Sequence, residues 1–577
     1  MAYLDAFRAH TDFIRRLGEG SAHLIWAIGL YLEEPDLEAL ASESLTDGPD
    51  DKKVDFIHLD RDGKRIVFAQ GYFSSSAREA APANKASDLN TAAAWLLSGD
   101  LNRVPPSLRS AVEECRQSLD EGEVESVDLL YVHNLPESVN VNRELQTAAE
   151  HLKRSIGPEA GVTVISRELG APSIEHLFRS QDSHIDVRDE ITCPAPVQFR
   201  QTGPNWSAAV LSVPGGWLHD LFKQYDQRLF SANYRGFLGI TKRRKINTAI
   251  RASAEGSPRD FWVFNNGVTL LTMSIREAKN ETRLSGVSII NGAQTTGSIG
   301  SVDLNKHELK DVRVLCRVIE CSEPQKISDI VKYNNTQNEI TTWDQYSADP
   351  EQVRIQEEFA DLGHGYSRKR GFRRPEEEIG IEDVAQPLVA FHRRFEEANR
   401  GKNRIFERGP LYKLAFEGKK ARHILLVHAL ARAVDEIRIE LKRKSDAGEI
   451  ISLEQQQLSL LRNLRFKNFL LSMLPRLLEA TLGKRVDMET IAFGLEAARR
   501  ERNTVVALVA ACVPFVKTVL SFVAAQVRAE DLADLLRRDD PVSEVSSKVE
   551  AMLYASKDNL ALGAFLSMLE GPSAYAR

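Results

Sequence analysis

At 577 residues and 64.6 kDa the chain is too long for one core, and at about 150 residues per domain it predicts three or four units. A formal net charge of -7 argues against a nucleic-acid binder that works by overall attraction and leaves local basic clusters as the route to phosphate. Five scattered cysteines (Cys115, Cys193, Cys316, Cys321 and Cys512) with no C-x-x-C pair argue against a zinc site or a disulfide framework and fit a reducing compartment.

The opening MAYLDAFRAHTDFIRRLGEG carries charge throughout and has no apolar centre, so no export is expected and a cytoplasmic location is. From Leu4 to about Leu40 apolar positions recur at helical spacing and end in the turn-rich ESLTDGPDDKK. VDFIHLD, the tight turn RDG and KRIVFAQGYF then read as a β-hairpin. Helical patterns follow in ASDLNTAAAWLL and SLRSAVEECRQSLDE, then a buried strand VDLLYVHN, a helix TAAEHLKRS and a strand VTVIS. That order predicts an α/β domain with a mixed sheet over residues 1–175. After ITCPAPVQF and TGPNW, a second α/β region carries the strand candidates AAVLSVP, VTLLTMS, GVSII and VRVLCRVIE. Residues 401–577 are helical throughout and predict an α-helical domain. Within it TVVALVAACVPFVKTVLSFVAAQV is interrupted by Pro514 and Lys517, short of the roughly 20 residues a membrane span needs, and is expected as a buried bundle helix.

Two constellations carry chemistry. The first sets Asp47, Asp50, Asp51 and Asp55 before and at the start of the hairpin, with Gln70 on its second strand. Carboxylates converging from adjacent strands suit a hard cation such as Mg2+, which prefers oxygen ligands and keeps waters that attack phosphate. Asp and Gly also form turns with no ligand at all. The pattern resembles the PD-(D/E)xK nuclease core, which implies a restriction-endonuclease-like domain. By that resemblance Asp51 and Asp55 would hold Mg2+ and Gln70 would take the second acid position. Tyr72 stands where the resemblance expects Lys, and Lys85 or Lys64 is the candidate replacement.

The second constellation is a density of Asn, Gln and Gly at strand ends: NYRGFLG, DFWVFNNGVTLLT, SIINGAQTTGSI and IVKYNNTQNEIT, followed by GYSRKRG. Amide side chains read a polar ligand such as a base edge without charge; Asn-Gly turns equally need no ligand. Backbone N–H groups from Gly292 onward, with the Thr295 and Thr296 hydroxyls, serve either as an anion site or as ordinary helix caps. These phrases strongly resemble the AIPR family of abortive phage-infection proteins. The carriers are Phe261, Trp262, Phe264, Asn265, Asn266 and Gly267, then Asn291, Gly292, Gln294 and Thr295, then Asn335 and Gln337, with Arg235, Gly236, Tyr366, Lys369, Arg370 and Gly371 around them. The resemblance implies an AIPR domain over 190–400, a bacterial-type anti-phage role, and Asn265, Asn266, Gly267, Asn291, Gly292, Gln294, Thr295, Asn335 and Gln337 as ligand-binding residues.

The basic runs TKRRK and YSRKRGFRR, the latter with Arg368, Lys369 and Arg370 between Tyr366 and Phe372, suit stacking and phosphate contacts on single strands; a solvated charged face is the commoner use of such runs. No Walker-type loop is present, which argues against an ATP-driven motor. Two functions follow: a Mg2+-dependent nuclease using Asp55, Gln70 and Lys85, or a non-catalytic sensor or regulatory subunit that binds nucleotide, nucleic acid or a partner protein. Self-association through the long helices or pairing with a defence partner protein is expected, and a membrane partner is not.

Overall fold

The computed structural model describes residues 2–569 apart from 47–53, 158–160, 181–184, 186, 226–228, 231–243, 336–345, 347–348, 369–376, 408 and 557–561. It is a mixed α/β protein with a helical C-terminal region, and its backbone divides into two compact units: Met1–Thr11 with Leu169–Ile340, and Asp12–Glu168 with Thr341–Arg577.

In the larger unit four strands, β1 (Phe56–Asp60), β2 (Arg65–Tyr72), β3 (Ser126–His133) and β4 (Thr163–Leu169), lie side by side in chain order. β1 pairs antiparallel with β2 and β2 parallel with β3, the mixed sheet that the alternation of strands and helices predicts. The Asp60 carboxylate accepts from Gly63 N and Arg65 Nε, each at 2.7 Å, and so closes the hairpin turn. Ile66 and Phe68 on β2 and Val127, Leu129 and Tyr131 on β3 share one face, packed with Leu108, Val112, Val141 and Leu145 from the helices Pro106–Asp120 and Val139–Ile156. Full burial of a side chain such as Phe68 stabilises by about 1.5–3 kcal/mol. On the other face, Tyr31 of the helix Glu19–Leu32 donates to Asp128 Oδ2 at 3.1 Å.

The helical region shares this unit, joined to the sheet through charge as well as apolar contact. Asp62 in the hairpin turn accepts from Lys402 N at 3.0 Å and Asn403 N at 2.9 Å. Arg465 pairs with Glu114 at 2.7 Å, Lys402 with Glu34 at 2.8 Å, and Arg432 with the buried Asp36. Sequence patterning treats these regions as separate domains, because long-range ion pairs leave no periodic signal.

The helix Val505–Ala524 runs unbroken through Pro514 and Lys517. It is therefore long and apolar enough to cross a membrane, contrary to the length expected from its interruptions. A proline removes one intrahelical bond, and here the surrounding core makes up for it: Leu508, Cys512, Phe515, Val516, Val519, Leu520 and Val523 are buried among the other helices, and Lys517 reaches Glu440 at 3.2 Å.

The smaller unit holds a seven-stranded sheet of β5 (Val187–Cys193), β6 (Phe199–Gly203), β7 (Trp206–Pro214), β8 (Val268–Thr272), β9 (Ser274–Glu277), β10 (Thr282–Asn291) and β11 (Arg313–Cys321). The order is β5-β10-β8-β11-β7-β6, with β9 beside β10 and β11 parallel to β8. One face carries Val268, Leu270, Val314, Cys316, Val318, Leu211 and Val213 into the core under Leu218, Leu221, Ala254 and Ile299. The N-terminal helix Ala2–Ala9 belongs to this unit: Tyr3 N donates to Glu175 at 3.0 Å.

Candidate functional site

The structure brings Asp55 and Gln70 together. Asp55 precedes β1, and its Oδ2 accepts from Gln70 Nε2 at 2.7 Å and from Gly71 N at 2.8 Å. Gln70 is buried and lies on β2 opposite Tyr131. Burial, followed by the neighbouring Tyr72 hydroxyl, pushes the Tyr131 phenol upward, so it stays a neutral hydrogen-bonding group and donates to Pro82 O at 3.2 Å. Pro82 O also accepts from Lys85 N at 3.2 Å, which sets Lys85's turn over Gln70's cross-strand neighbour. Among the described residues Lys85 makes no bond to Asp55. Lys64 is no replacement for the missing lysine. It sits at the opposite end of β2 from Gln70, about 20 Å away along the strand, and pairs with Glu125 at 2.9 Å.

A cavity of about 320 Å³ opens beside Asp55, lined by Tyr72 and Phe73 and by the cations Arg16, Lys442 and Arg443. Two of these cations come from the helix Ala421–Asp446, nearly four hundred residues along the chain, a proximity no local motif could signal. Asp51 lies outside the described residues. Among the described residues no group of three or more His, Cys, Asp or Glu is placed to hold a metal ion. The single carboxylate of Asp55 with an amide beside it does not by itself complete a Mg2+ site.

In the smaller unit the Asn and Gly phrases converge, and backbone approach explains their glycines. Phe261–Phe264 form a short helix, Asn265 to Gly267 turn into β8, and β10 ends at Asn291 before Gly292 opens the helix Ala293–Gly300. Gly267 and Gly292 have φ of +82° and +91°. A Cβ on Gly267 would lie 2.2 Å from Leu315 O, and one on Gly292 would lie 2.7 Å from Gly267 O, so three backbones stack where only glycine fits.

Most of the polar side chains here bond to the protein. Asn265 Oδ1 accepts from Gly267 N at 2.8 Å and from Thr295 Oγ1 at 3.1 Å. Asn291 Nδ2 donates to Asn334 O at 2.7 Å, and Thr296 Oγ1 to Gly292 O at 3.1 Å. Asn266 is exposed and Gln294 half-buried, and neither makes a hydrogen bond among the described residues. Gln337 and the side chain of Asn335 fall outside the described residues. Sequence reasoning missed Asn334 and Arg317: the Arg317 guanidinium donates to Asn334 Oδ1 and, at 3.5 Å, to Thr269 Oγ1. The alternation of β11 could have flagged Arg317 as the polar face of a half-covered strand.

Lys369, Arg370 and Phe372 lie outside the described residues, and Arg368 is half-buried. Tyr366, expected to stack on bases, is core instead. It stacks on Phe359 with ring centroids 4.9 Å apart, and its hydroxyl donates to Gln352 at 2.8 Å. Burial, followed by the nearby Tyr412, holds its phenol well above the ordinary range.

The fold and site define a two-unit mixed α/β and helical protein with glycine-locked Asn turns at the ends of a central sheet. A family model for the AIPR protein matches residues 230–560, more than half of the chain, and the chain belongs to that family. Membership implies abortive-infection defence against phage. Comparison with curated proteins and with solved structures gives no match.

Proposed function

We propose that the protein serves phage defence as a sensor or regulatory subunit that binds nucleic acid or nucleotide without cleaving it. The observation that carries this reading is the state of Asp55. Its Oδ2 accepts from Gln70 Nε2 and Gly71 N at 2.7 and 2.8 Å, a use that knits the hairpin together, while Tyr72 fills the position of the water-orienting lysine. A carboxylate oxygen offers about two lone-pair directions, and two N–H donors take them. In the smaller unit the side-chain amides of Asn266 and Gln294, which make no hydrogen bond among the described residues, support the reading of a ligand there.

A Mg2+-dependent nuclease using Asp55, Gln70 and Lys85 is the second reading, and the cavity beside Asp55 favours it: Arg16, Lys442 and Arg443 could neutralise phosphate there. One experiment separates the two. Purified wild type and Asp55→Asn are incubated with Mg2+ or Mn2+ and with single- and double-stranded DNA and RNA, and the same variants are scored for phage protection. Asn keeps an acceptor for Gln70 and Gly71, so the sensor reading expects no cleavage by either and full protection by both. Cleavage by wild type that Asp55→Asn abolishes, together with loss of protection, establishes the nuclease.

A further inference from the structure

The pairing register of the central sheet lines up one row of side chains across five strands: Phe199 on β6, Val210 on β7, Arg317 on β11, Thr269 on β8 and Asn291 on β10. The opposite face of the same strands is the unit's core. On the row's own face, the helix Pro324–Asn335 covers only one end, where Ile327, Ile330 and Val331 pack on Leu271, Ile290 and Ile319. Beyond that cover the sheet stands open among the described residues. Phe199 is 60% exposed and Leu315 37% exposed, and Arg313 and Arg317 point outward on either side of Leu315. At the end of β8, Trp262 and Phe264 are exposed as well.

The charge on this face is one-sided. Among the described residues Arg313 and Arg317 have no carboxylate partner, and the groups that orient Arg317, Thr269 Oγ1 and Asn334 Oδ1, are neutral. A guanidinium held in place with no carboxylate partner among the described residues, between an exposed Phe and an exposed Leu on an open sheet face, offers π-faces for unstacked bases and a cation for phosphate. From Phe199 to Arg317 the open part of the row crosses two strand spacings, about 10 Å in all; beyond it Thr269 is buried and Asn291 lies against Asn334 of the covering helix. A duplex keeps its bases stacked inside and gains nothing from the exposed rings.

From this we infer that the open face of the central sheet, centred on Phe199, Leu315, Arg313 and Arg317, is a docking platform for single-stranded nucleic acid. The inference rests on the reading of the chain as a binding protein, and it names the partner and the surface.

The test is fluorescence anisotropy on the full-length protein in EDTA, with labelled single-stranded DNA and RNA of about 12 nucleotides and the matching duplex. Wild type is compared with Arg313→Ala/Arg317→Ala, with Phe199→Ala, with Arg317→Lys, and with the control Arg537→Ala on an exposed arginine of the other unit. Circular dichroism and melting temperature verify that each variant folds. Wild type should bind a single strand and discriminate against duplex. The double arginine variant should lose about tenfold or more and lower the salt slope by about 1.4, two phosphate contacts at 0.7 each. Phe199→Ala should lose about fivefold or more through lost stacking. Arg317→Lys should recover part of the loss at low salt, and Arg537→Ala should match wild type.

The inference is overturned if folded wild type binds no single strand, binds duplex equally well, or binds with an affinity that the sheet-face variants leave unchanged. It is equally overturned if those variants alter only self-association in light scattering, which would make the face a contact between copies. None of these outcomes depends on Asp55, so cleavage that Asp55→Asn abolishes defeats the regulatory reading while leaving the platform to be judged by its own binding data.

Discussion

Replacing Gly267 by Ala tests the backbone stack that holds the Asn turns. The substitution adds one methyl group at φ +82°, a left-handed conformation that costs an L-residue about 1–2 kcal/mol. The new Cβ would also lie 2.2 Å from Leu315 O and 2.8 Å from Leu315 Cβ. The carbonyl belongs to β11, which pairs on both sides with β7 and β8, so it cannot swing away as a flexible side chain would. Overpacking of this kind costs about 1–3 kcal/mol, for a sum of about 2–5 kcal/mol. Hydrogen exchange reads the effect where it occurs: amides of β8 and β11 should exchange at least about thirtyfold faster, at 1.4 kcal/mol per tenfold. Gly216→Ala is the control, since nothing lies within 4 Å of its added carbon and its backbone is ordinary helix. It should be neutral or stabilise by up to about 1 kcal/mol. Exchange in Gly267→Ala equal to wild type would refute the close approach of the three backbones and, with it, the steric reason for both glycines.

Two further predictions concern the larger unit. His392 and His423, with ring centroids 5.5 Å apart, are buried, which lowers their pKa to about 3 and about 4; the Lys419 ammonium adds to the effect on both, and His423 itself adds to it at His392. Glu489 stands 3.4 Å from His392 but is ion-paired to Lys419, so burial dominates. Both imidazoles are neutral in the fold, whereas the unfolded chain takes up protons below about pH 6.5. Stability is therefore full above pH 6.5 and falls as pH drops toward 4, by up to about 1.4 kcal/mol per pH unit for each histidine. Urea midpoints from pH 7 to 4.5 measure the slope, and His392→Phe should flatten it; an unchanged slope would show that His392 does not carry it. The second prediction concerns Asp36, whose side chain pairs with Arg432 and caps the helix Leu37–Ser44 through Ala39 N at 2.9 Å. Arg432→Met should cost about 3–5 kcal/mol by leaving a buried carboxylate unpaired, and Asp36→Asn/Arg432→Met should cost clearly less; equal losses in thermal melts would contradict a mutual charge pair.

β3 and β11 were legible because the burial of the first is complete and that of the second periodic, whereas β5 and β6, short and largely exposed, carried no strand expectation. β3 is buried at every position, its apolar run Leu129–Val132 flanked by the buried polar Asp128 and His133, while β11 alternates, and both were expected from their residues. The Asn-Gly phrases were legible as turns, because Asn and Gly tolerate positive φ, and the structure places that φ at Gly267 and Gly292. Their partners were not, because Asn265 meets Thr295 across thirty residues and Asn291 meets the Asn334 carbonyl across forty-three. Tyr366 shows the opposite failure: an aromatic among basic residues looks like a stacking platform, yet the ring stacks on Phe359. Local composition identifies which residue types could bind a ligand, whereas burial decides which of them face the core. Arg317 was passed over because a single arginine in an apolar strand carries no motif.

The net charge of -7 and a nucleic-acid platform are compatible once distance is considered. At physiological ionic strength charges are screened beyond about 8 Å, so carboxylates elsewhere on the chain scarcely reach a strand lying over Arg313 and Arg317. What the overall charge removes is long-range attraction to duplex DNA, which depends on many phosphate contacts. A platform with about two such contacts would show a shallow salt dependence, and most of its affinity would come from ring faces at Phe199 and its neighbours. A surface of that kind favours unstacked single strands over the bulk of paired nucleic acid in the cell. Such a preference would keep the platform clear of the cell's own duplex DNA, which fits a family placed in abortive-infection defence.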